Sequence, residues 1–327
     1  MKTYQLILKP KSGLLTELQS DTIYGHFCWR LRDKFGDTKL GEFISMYKNG
    51  APVFLVSDGF LRLSDGIHFP RPLVLSNNSN NGMVPDKYKK ILDFVQRKKS
   101  KERDYLLLDE LNEFLSSGKV NIDSEKQNDN NRGQKRREKP IIQKNLRVSV
   151  QIDRNTNSAM EGRLFSYEPV HIGQDASFVV LIKVLDEESF TTYDCESIFR
   201  EIFQIGFGKK KSSGFGQFEV EWNEFDGIKE PNSTNAFIAL GNYLPSADDR
   251  VNPIGYDINT KYGKLGEELS LSANPFKNPI IFLTAGSCFR TESAKMHYGR
   301  ITEDGEISGA NKFAVQFGMP MTLNFNL

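Results

Sequence analysis

The stretch of residues 205–220, I-G-F-G-K-K-K-S-S-G-F-G-Q-F-E-V, constrains the fold of this chain more than any other. Glycines let the backbone take positive φ and approach an anion closely, while backbone N–H, lysine ammonium and serine hydroxyl groups donate to phosphate oxygens. We therefore predict a phosphate-binding segment, here called the glycine loop, over residues 206–216. Its candidate binding residues are Gly206, Gly208, Lys209, Lys210, Lys211, Ser212, Ser213, Gly214 and Gly216.

The flanks of the glycine loop exclude the common nucleotide-binding loops. Apolar residues recur at helical spacing before the loop and alternate with polar residues after it, which predicts a helix followed by a strand. Nucleotide-binding loops run from strand to helix instead. The Walker pattern also fails because Lys210 follows Gly208 and Lys209, and the dinucleotide pattern fails at Lys211.

The segment Gly214-Phe215-Gly216 is a partial match to the RNP1 strand of RNA-recognition motifs. The strand face that Phe215 begins continues with Gln217, Glu219 and Glu221, which offer bases no stacking surface. If the loop binds RNA, it therefore binds backbone phosphates. The alternative is a flexible glycine turn whose lysines are merely solvated, and the pattern leaves both interpretations open.

The length, net charge and cysteine content limit the possible kinds of site in this chain. A length of 327 residues is enough for two domains, and 43 basic against 42 acidic residues give a net charge of +1. Any RNA site must therefore be a local patch. Cys28, Cys195 and Cys288 lie far apart without a Cys/His pattern, so no disulfide framework, metal site or cofactor is predicted. The early charges and the lack of a long apolar run predict a soluble, cytoplasmic protein.

The chain outside the loop predicts both helices and strands. Residues 4–8 predict a first strand, and Ser20 or Asp21 is expected to cap a helix with apolar residues at every fourth position from Ile23. The near-continuous apolar run of residues 178–185 predicts a central strand.

Other stretches predict connections. Residues 53–56 and 60–63 predict two strands joined by a turn at Asp58-Gly59. A polar insertion spans about residues 76–144, and residues 229–233 predict a linker.

Two features together resemble a known superfamily. A helix, a glycine-rich loop with central basic residues and a strand are similar to the signature of the RAMP proteins of CRISPR systems. Residues 147–172, R-V-S-V-Q-I-D-R-N-T-N-S-A-M-E-G-R-L-F-S-Y-E-P-V-H-I, resemble the RAMP thumb hairpin. Among RAMP proteins, the chain most resembles the family of fourth subunits of type III-A (Csm) effector complexes. The resemblance covers most of the chain outside the insertion.

This resemblance implies two further groups of RNA contacts. The phrase S-D-T-I-Y-G at residues 20–25 matches the first helix of the family, whose N-terminus faces the RNA, so the hydroxyls of Ser20 and Thr22 are expected to bind phosphate. At the thumb tip, Arg154 is expected to bind phosphate or stack on a base, and Met160 to wedge between nucleotides. The expected tip contacts are Ile152, Arg154, Thr156 and Met160.

The resemblance also implies an architecture and a role. The expected fold is α+β, with two tandem ferredoxin-like (RRM-type) domains at residues 1–228 and 234–327; the first contains the insertion, the thumb (about 145–172) and the glycine loop. The expected protein is a non-catalytic subunit that caps the 5′ handle end of crRNA in a type III-A complex of antiviral defence. Its expected partners are crRNA, the large polymerase/nuclease subunit and the repeated RAMP backbone subunit.

A rival interpretation is a metal-independent RAMP endoribonuclease that processes precursor crRNA, because that activity occurs on the same fold. Such an enzyme needs His26 or His171 near the glycine loop, with an acidic or electrostatic partner. No Ser, Tyr or second His groups with His26 in the sequence. We therefore expect both histidines to be structural and the chain not to be an enzyme.

Overall fold

The structure is a computed structural model that describes residues 1–74, 103–120, 142–271, 274–309, 311 and 313–327. Much of the predicted insertion lies outside the described residues. The helices are α1 (Ser20–Lys48), α2 (Leu108–Ser117), α3 (Glu187–Thr192) and α4 (Cys195–Ile205). Among the described residues, no helix is both long enough and apolar enough to cross a membrane.

Antiparallel strands make up most of the remaining regular structure, so the predicted α+β class is confirmed. The strands are β1 (Lys2–Pro10), β2 (Phe54–Val56), β3 (Phe60–Leu63), β4 (Gly66–Ile67), β5 (Phe69–Pro70), β6 (Tyr105–Leu106), β7 (Ile142–Lys144), β8 (Arg147–Asp153), β9 (Ser158–Tyr167), β10 (Val170–Ile172), β11 (Ser177–Val184), β12 (Phe218–Glu224), β13 (Ala236–Ala239), β14 (Val251–Gly255), β15 (Ile258–Lys261), β16 (Ile280–Leu283), β17 (Cys288–Thr291), β18 (Arg300–Ile301), β19 (Phe317–Gly318) and β20 (Thr322–Phe325).

The largest sheet contains six strands in the order β12-β1-β11-β3-β4, and β2 also pairs with β11. Its central strand is β11, as predicted, and consecutive residues such as Val179 and Val180 are both fully buried. Strand β1 pairs antiparallel with β11 and with β12, so Leu6 lies opposite both Val180 and Trp222. This pairing brings the end of β1 next to the start of β12, where the glycine loop ends.

Helices α1 and α4 pack against this sheet through buried aromatic rings. The ring centroid of Phe27 on α1 lies 4.9 Å from that of Phe54 on β2 and 5.0 Å from that of Phe199 on α4. All three rings are fully buried. The predicted spacing of apolar residues along α1 therefore places Phe27 on the face of the helix that packs into the core. Gly36, with φ of 86°, interrupts α1 beyond this contact.

Strands β2 and β3 do not form the hairpin that the turn at Asp58-Gly59 predicts. Both strands pair with β11, β2 at residues 182–184 and β3 at residues 177–179. Between them, Ser57 donates its N–H to the carbonyl oxygen of Leu181 at 2.9 Å. Strands β2 and β3 therefore both pair with β11 instead of with each other, because β11 is buried and has backbone groups free to bond each of them along its length.

The C-terminal part of the chain forms a four-stranded sheet in the order β14-β17-β13-β20. Its core is continuous with that of the first sheet, since Ile238 of β13 and Phe317 of β19 belong to the same buried cluster as Phe27. Phe317 stacks on Tyr24 of α1 with 4.1 Å between ring centroids. The two-stranded sheet of β18 and β19, in the C-terminal part of the chain, is thus packed against the helix that carries the predicted N-terminal binding residues.

The predicted linker is tied to both sheets. Glu230 accepts a hydrogen bond from the Lys183 ammonium on β11 at 3.1 Å and another from the Asn324 N–H on β20 at 2.8 Å. A freely moving linker makes no such contacts. The division of the chain into domains at residues 228 and 234 stays a prediction.

Candidate nucleic-acid interface

The glycine loop connects the end of α4 to the start of β12, so the predicted order of helix, loop and strand is confirmed. Lys210 has a φ of 56° and precedes a single 3-10 turn at Lys211–Ser213. Positive φ also occurs at each predicted glycine: 137° at Gly206, 79° at Gly208, 83° at Gly214 and 69° at Gly216. Only glycine adopts these conformations without strain, which explains its repetition here.

Much of the loop backbone is hydrogen-bonded within the protein. The N–H groups of Gly208 and Lys209 point inward and donate to His26 Nε2 at 3.1 Å and to Thr16 Oγ1 at 2.9 Å. Carbonyl oxygens of the protein accept from the N–H groups of Phe207, Ser213, Gly214, Phe215 and Gly216. Since each N–H carries one proton, these seven N–H groups are engaged within the protein, and phosphate binding by the loop stays a prediction.

The segment that follows β1 holds the loop in place. Gly216 donates its N–H to the carbonyl oxygen of Gly13 at 3.0 Å, and Gln217 donates to Ser12 Oγ at 3.0 Å. Together with the bond from Lys209 to Thr16, these contacts attach both ends of the loop to residues 12–16. The shape of the loop is therefore set by a segment distant in sequence.

We expect alanine at Gly216 to cost more stability than alanine at Gly214. A Cβ on Gly216 would lie 2.0 Å from the carbonyl oxygen of Phe207, whereas a Cβ on Gly214 meets no atom within 4 Å. Positive φ costs an alanine about 1–2 kcal/mol at either position, and the clash adds about 1–3 kcal/mol at Gly216 alone. Urea unfolding of the two variants measures the difference, and equal midpoints would contradict the loop geometry.

The side chains with phosphate-binding chemistry lie on the outer surface of the loop. Lys209, Ser212 and Ser213 are exposed, and Lys210 and Lys211 are partly exposed. Ammonium and hydroxyl groups at this surface can bind the oxygens of successive phosphates.

The predicted thumb is a hairpin of β8 and β9 whose base lies against the glycine loop. The Lys210 ammonium lies 3.5 Å from the ring centroid of Tyr167 and 4.7 Å from that of Phe165. The Tyr167 ring packs edge-on against Phe215 at 5.7 Å, and the Arg147 guanidinium lies 5.8 Å from the Phe215 ring. These cation–π and aromatic contacts join the loop and the base of the hairpin into one surface.

The four predicted tip residues lie at the other end of the hairpin. Ile152, Arg154 and Thr156 are exposed, and Met160 is partly buried. Strand β8 runs from Arg147 at the base to the tip, a distance of about 20 Å at about 3.3 Å per residue. The structure therefore separates the tip from the glycine loop, and contact of the tip with RNA stays a prediction.

The N-terminus of α1 is covered by the C-terminal part of the chain. Its N-cap is Gln19, which makes no side-chain capping bond, so neither Ser20 nor Asp21 is the cap. Ser20 is fully buried, and its hydroxyl accepts the N–H of Asn242 at 3.0 Å. Ser20 therefore presents no hydroxyl to an RNA phosphate in this structure. The hydroxyl of the partly exposed Thr22 faces the Lys261 ammonium at 3.4 Å.

Asp21 lies at the centre of the contact between the N-terminus of α1 and the C-terminal part of the chain. Its carboxylate, with 1% of the side chain exposed, accepts hydrogen bonds from Asn242 Nδ2 at 2.8 Å, Gln316 Nε2 at 2.7 Å and Lys261 Nζ at 2.5 Å. Nearby, Asp58 accepts the first N–H of α1, that of Ser20, at 2.7 Å. Burial, with a smaller contribution from the neighbouring Asp21 carboxylate, raises the pKa of Asp58 to about 7. This N-terminus therefore serves internal packing.

Of the two histidines of the rival interpretation, His26 contacts the glycine loop, and His171 lies against Gly13, whose carbonyl oxygen accepts the N–H of Gly216 in the loop. The His26 ring packs on Phe207 at 4.7 Å, and its Nε2 accepts the Gly208 N–H. His171 on β10 lies against Gly13, where an added Cβ would be 2.8 Å from His171 Cε1. The Nε2 atom of His171 is buried and has no hydrogen-bond partner within the part of the chain that the structure describes.

Sequence reasoning missed most of the residues that shape this surface. Ser12, Gly13 and Thr16 hold the loop, but a serine and a threonine after a strand carry no specific signal. The alternation of Phe165 and Tyr167 on β9 was available as a signal, since it places two rings on one face of the hairpin. The structure is needed to show that this face meets the glycine loop.

No family model matches the chain, and no curated protein matches its sequence. Solved structures match its fold over the whole chain. A Csm1–Csm4 cassette in complex with AMPPNP matches with a TM-score of 0.61 at 16% identity, covering 100% of this chain and 99% of that chain. The cassette in complex with cA4 matches with a TM-score of 0.62, also at 16% identity and the same coverage. A Csm3–Csm4 subcomplex in the type III-A CRISPR-Cas interference complex matches with 0.58 at 17% identity, covering 100% of both chains.

Csm4 is the subunit that these three complexes have in common. The near-complete coverage of both chains means that the matched subunit has about the length of this one. The predicted resemblance is confirmed at the level of the fold: the chain has the fold of a Csm4-like RAMP subunit of a type III-A CRISPR complex.

Proposed function

We propose that this chain is a non-catalytic crRNA-binding subunit that caps the 5′ handle end of a type III-A interference complex in antiviral defence. The observation that carries the proposal is the end-to-end match to the subunit shared by Csm1–Csm4 and Csm3–Csm4 structures. The cationic glycine loop on the surface supplies the chemistry that an RNA-binding role needs.

The proposed architecture is a pair of ferredoxin-like domains, residues 1–228 and 234–327. In a ferredoxin-like sheet, the four strands lie in the spatial order 4-1-3-2. The first sheet follows this order as β12-β1-β11-β3, and the second follows it as β20-β13-β17-β14. Helices α1 and α4 occupy the two connections of the first sheet. Among the described residues of the second sheet, the β13–β14 connection has only a short 3-10 turn, and the β17–β20 connection has strands β18 and β19. The strand orders support the proposal, and the second domain departs from the complete pattern.

The proposed RNA contacts are the handle phosphates at the lysines and serines of the glycine loop. The thumb tip, with Ile152, Arg154, Thr156 and Met160, is proposed to contact the RNA farther along the strand. Exposure of Arg154 and Thr156 supports this assignment, because both side chains are accessible to a partner. Thr22 is proposed as a less important RNA contact than the loop residues, since its hydroxyl already faces the Lys261 ammonium.

The proposed protein partners are the large polymerase/nuclease subunit and the repeated RAMP backbone subunit of a Csm complex. The similar folds in the Csm1–Csm4 and Csm3–Csm4 structures support this choice. Such a complex is proposed to act in the cytoplasm.

A metal-independent endoribonuclease is a second candidate, because His26 contacts the glycine loop and His171 lies against Gly13, a residue that bonds the loop. A general base needs a free lone pair within reach of the proton that it removes. The Nε2 lone pair of His26 accepts the Gly208 N–H, and the Nε2 of His171 is buried. This geometry supports the binding function over the nuclease.

Incubating the purified protein with labelled repeat RNA in EDTA tests the proposal. We expect a retarded RNA band of unchanged length, because the histidine lone pairs are occupied or buried. A His171→Ala variant purified in parallel controls for contaminating nucleases. Cleavage at one position that disappears in this variant would favour the endoribonuclease, and the absence of any RNA binding would contradict the proposed function.

A further inference from the structure

Phe165 is a large aromatic residue that stays exposed although its ring contacts Lys210. It lies on β9 next to the glycine loop, and 46% of its surface is exposed. Hydrophobic burial in the folded chain therefore does not account for a phenylalanine at this position.

Phe165 shares its strand face with cationic and aromatic groups. In the hairpin register, Ser149 lies opposite Phe165 and Arg147 opposite Tyr167, so all four side chains project from one face. The Phe165 and Tyr167 rings are 6.5 Å apart with 24° between their planes, so they form a nearly continuous aromatic surface. The Lys210 ammonium borders this surface.

The opposite face of the same hairpin has a different chemistry. Val148, Val150 and Leu164 project from it and are exposed by 58%, 40% and 70%. Aliphatic side chains lack the flat π surface on which a base stacks. The two faces thus differ in chemistry, and the aromatic rings lie on the face that meets the phosphate-binding loop.

Alternating aromatic rings and cations are the arrangement with which proteins bind single-stranded nucleic acid, because bases stack on the rings while phosphates contact the cations. Unpaired bases can be splayed from the backbone for such stacking. We infer that Phe165 stacks on an unpaired nucleobase of the RNA whose phosphates bind the glycine loop, with Tyr167 and Lys210 holding the ring in position. This inference rests on the proposed RNA-binding function and adds a base contact to it.

Titrating full-length protein into labelled 5′-handle RNA tests the inference. Stacking contributes about 1–3 kcal/mol per base, so Phe165→Ala is expected to weaken binding between about 5-fold and 150-fold. Phe165→Tyr retains the ring and should bind within about 2-fold of wild type. Leu164→Ala removes an exposed side chain from the other face of the same strand and should leave affinity unchanged. None of these changes removes a charge, so the dependence of log K on log salt should stay constant.

A second series of handle RNAs, each with one abasic nucleotide, locates the stacked base. At one position, the abasic RNA should bind wild type and Phe165→Ala equally, because the stacking partner is then missing from both. If Phe165→Ala binds the intact handle as wild type does, the inference is overturned while the proposed function stands. A loss that is equal for every abasic RNA also overturns it, because the effect is then on the hairpin. If wild type binds no RNA, the proposed function itself fails.

Discussion

Replacing Asp21 with alanine is expected to lower the free energy of unfolding by about 3–5 kcal/mol. The Asp21 carboxylate is buried and pairs with Lys261, whose side chain is only 20% exposed. Removing the acid leaves this ammonium in a poorly solvated place without its counter-charge, and it also removes the acceptor of Asn242 and Gln316. The midpoint of urea unfolding measures the loss, provided that the slope stays constant.

A matched control comes from the same helix. Asp33 has 57% of its side chain exposed and lies 3.8 Å from Arg30, so Asp33→Ala is expected to change stability by less than about 0.5 kcal/mol. The double variant Asp21→Ala/Lys261→Met should be more stable than Asp21→Ala alone, because no unpaired ammonium is then buried. An Asp21→Ala midpoint equal to that of Asp33→Ala would show that this interface contributes little to stability.

Replacing Lys209, Lys210 and Lys211 together with alanine is expected to weaken handle RNA binding by about 100-fold at 0.1 M salt. Each phosphate contact in a single strand contributes roughly −0.7 to the slope of log K against log salt, so the slope should flatten by up to about 2. Because phosphates carry no sequence information, handle variants of equal length should lose affinity equally. Titrations of labelled RNA at several salt concentrations provide both the affinity and the slope.

The contact of Lys210 with two aromatic rings refines this expectation. Its ammonium lies 3.5 Å from the Tyr167 ring centroid, so part of its charge is already engaged within the protein. Lys209→Ala alone should therefore reduce the slope more than Lys210→Ala alone.

A triple variant elsewhere controls for net charge. Lys2, Lys34 and Lys39 are paired with Glu224 at 3.1 Å, Asp194 at 2.5 Å and Glu42 at 2.6 Å, away from the glycine loop. Their replacement by alanine removes the same charge and should leave the salt slope unchanged. If both triple variants lower affinity equally, the effect is that of overall charge, and the glycine loop is not the RNA site.

Several features of the fold could be predicted because they depend on local patterns. The helix, glycine loop and strand around residues 195–224 follow from a change of apolar period from helical spacing to alternation. The central strand β11 follows from its unbroken apolar run, since a strand covered on both faces needs no polar side. The thumb hairpin follows from the alternation of Val148, Val150 and Ile152 together with the family resemblance, although these residues are exposed in the structure.

Other features depend on partners distant in the chain, which a pattern in one segment cannot specify. A serine at the start of a helix suits capping or phosphate binding equally well, and burial of Ser20 beneath Asn242 excludes solvent from it. The glycines of the loop predict positive φ angles. They do not predict which atoms accept hydrogen bonds from the N–H groups of the loop. Thr16 lies 193 residues from Lys209, yet its hydroxyl accepts that N–H because β1 and β12 are adjacent in the sheet. Strand pairing thereby engages several loop N–H groups within the protein, which the glycine pattern alone does not predict.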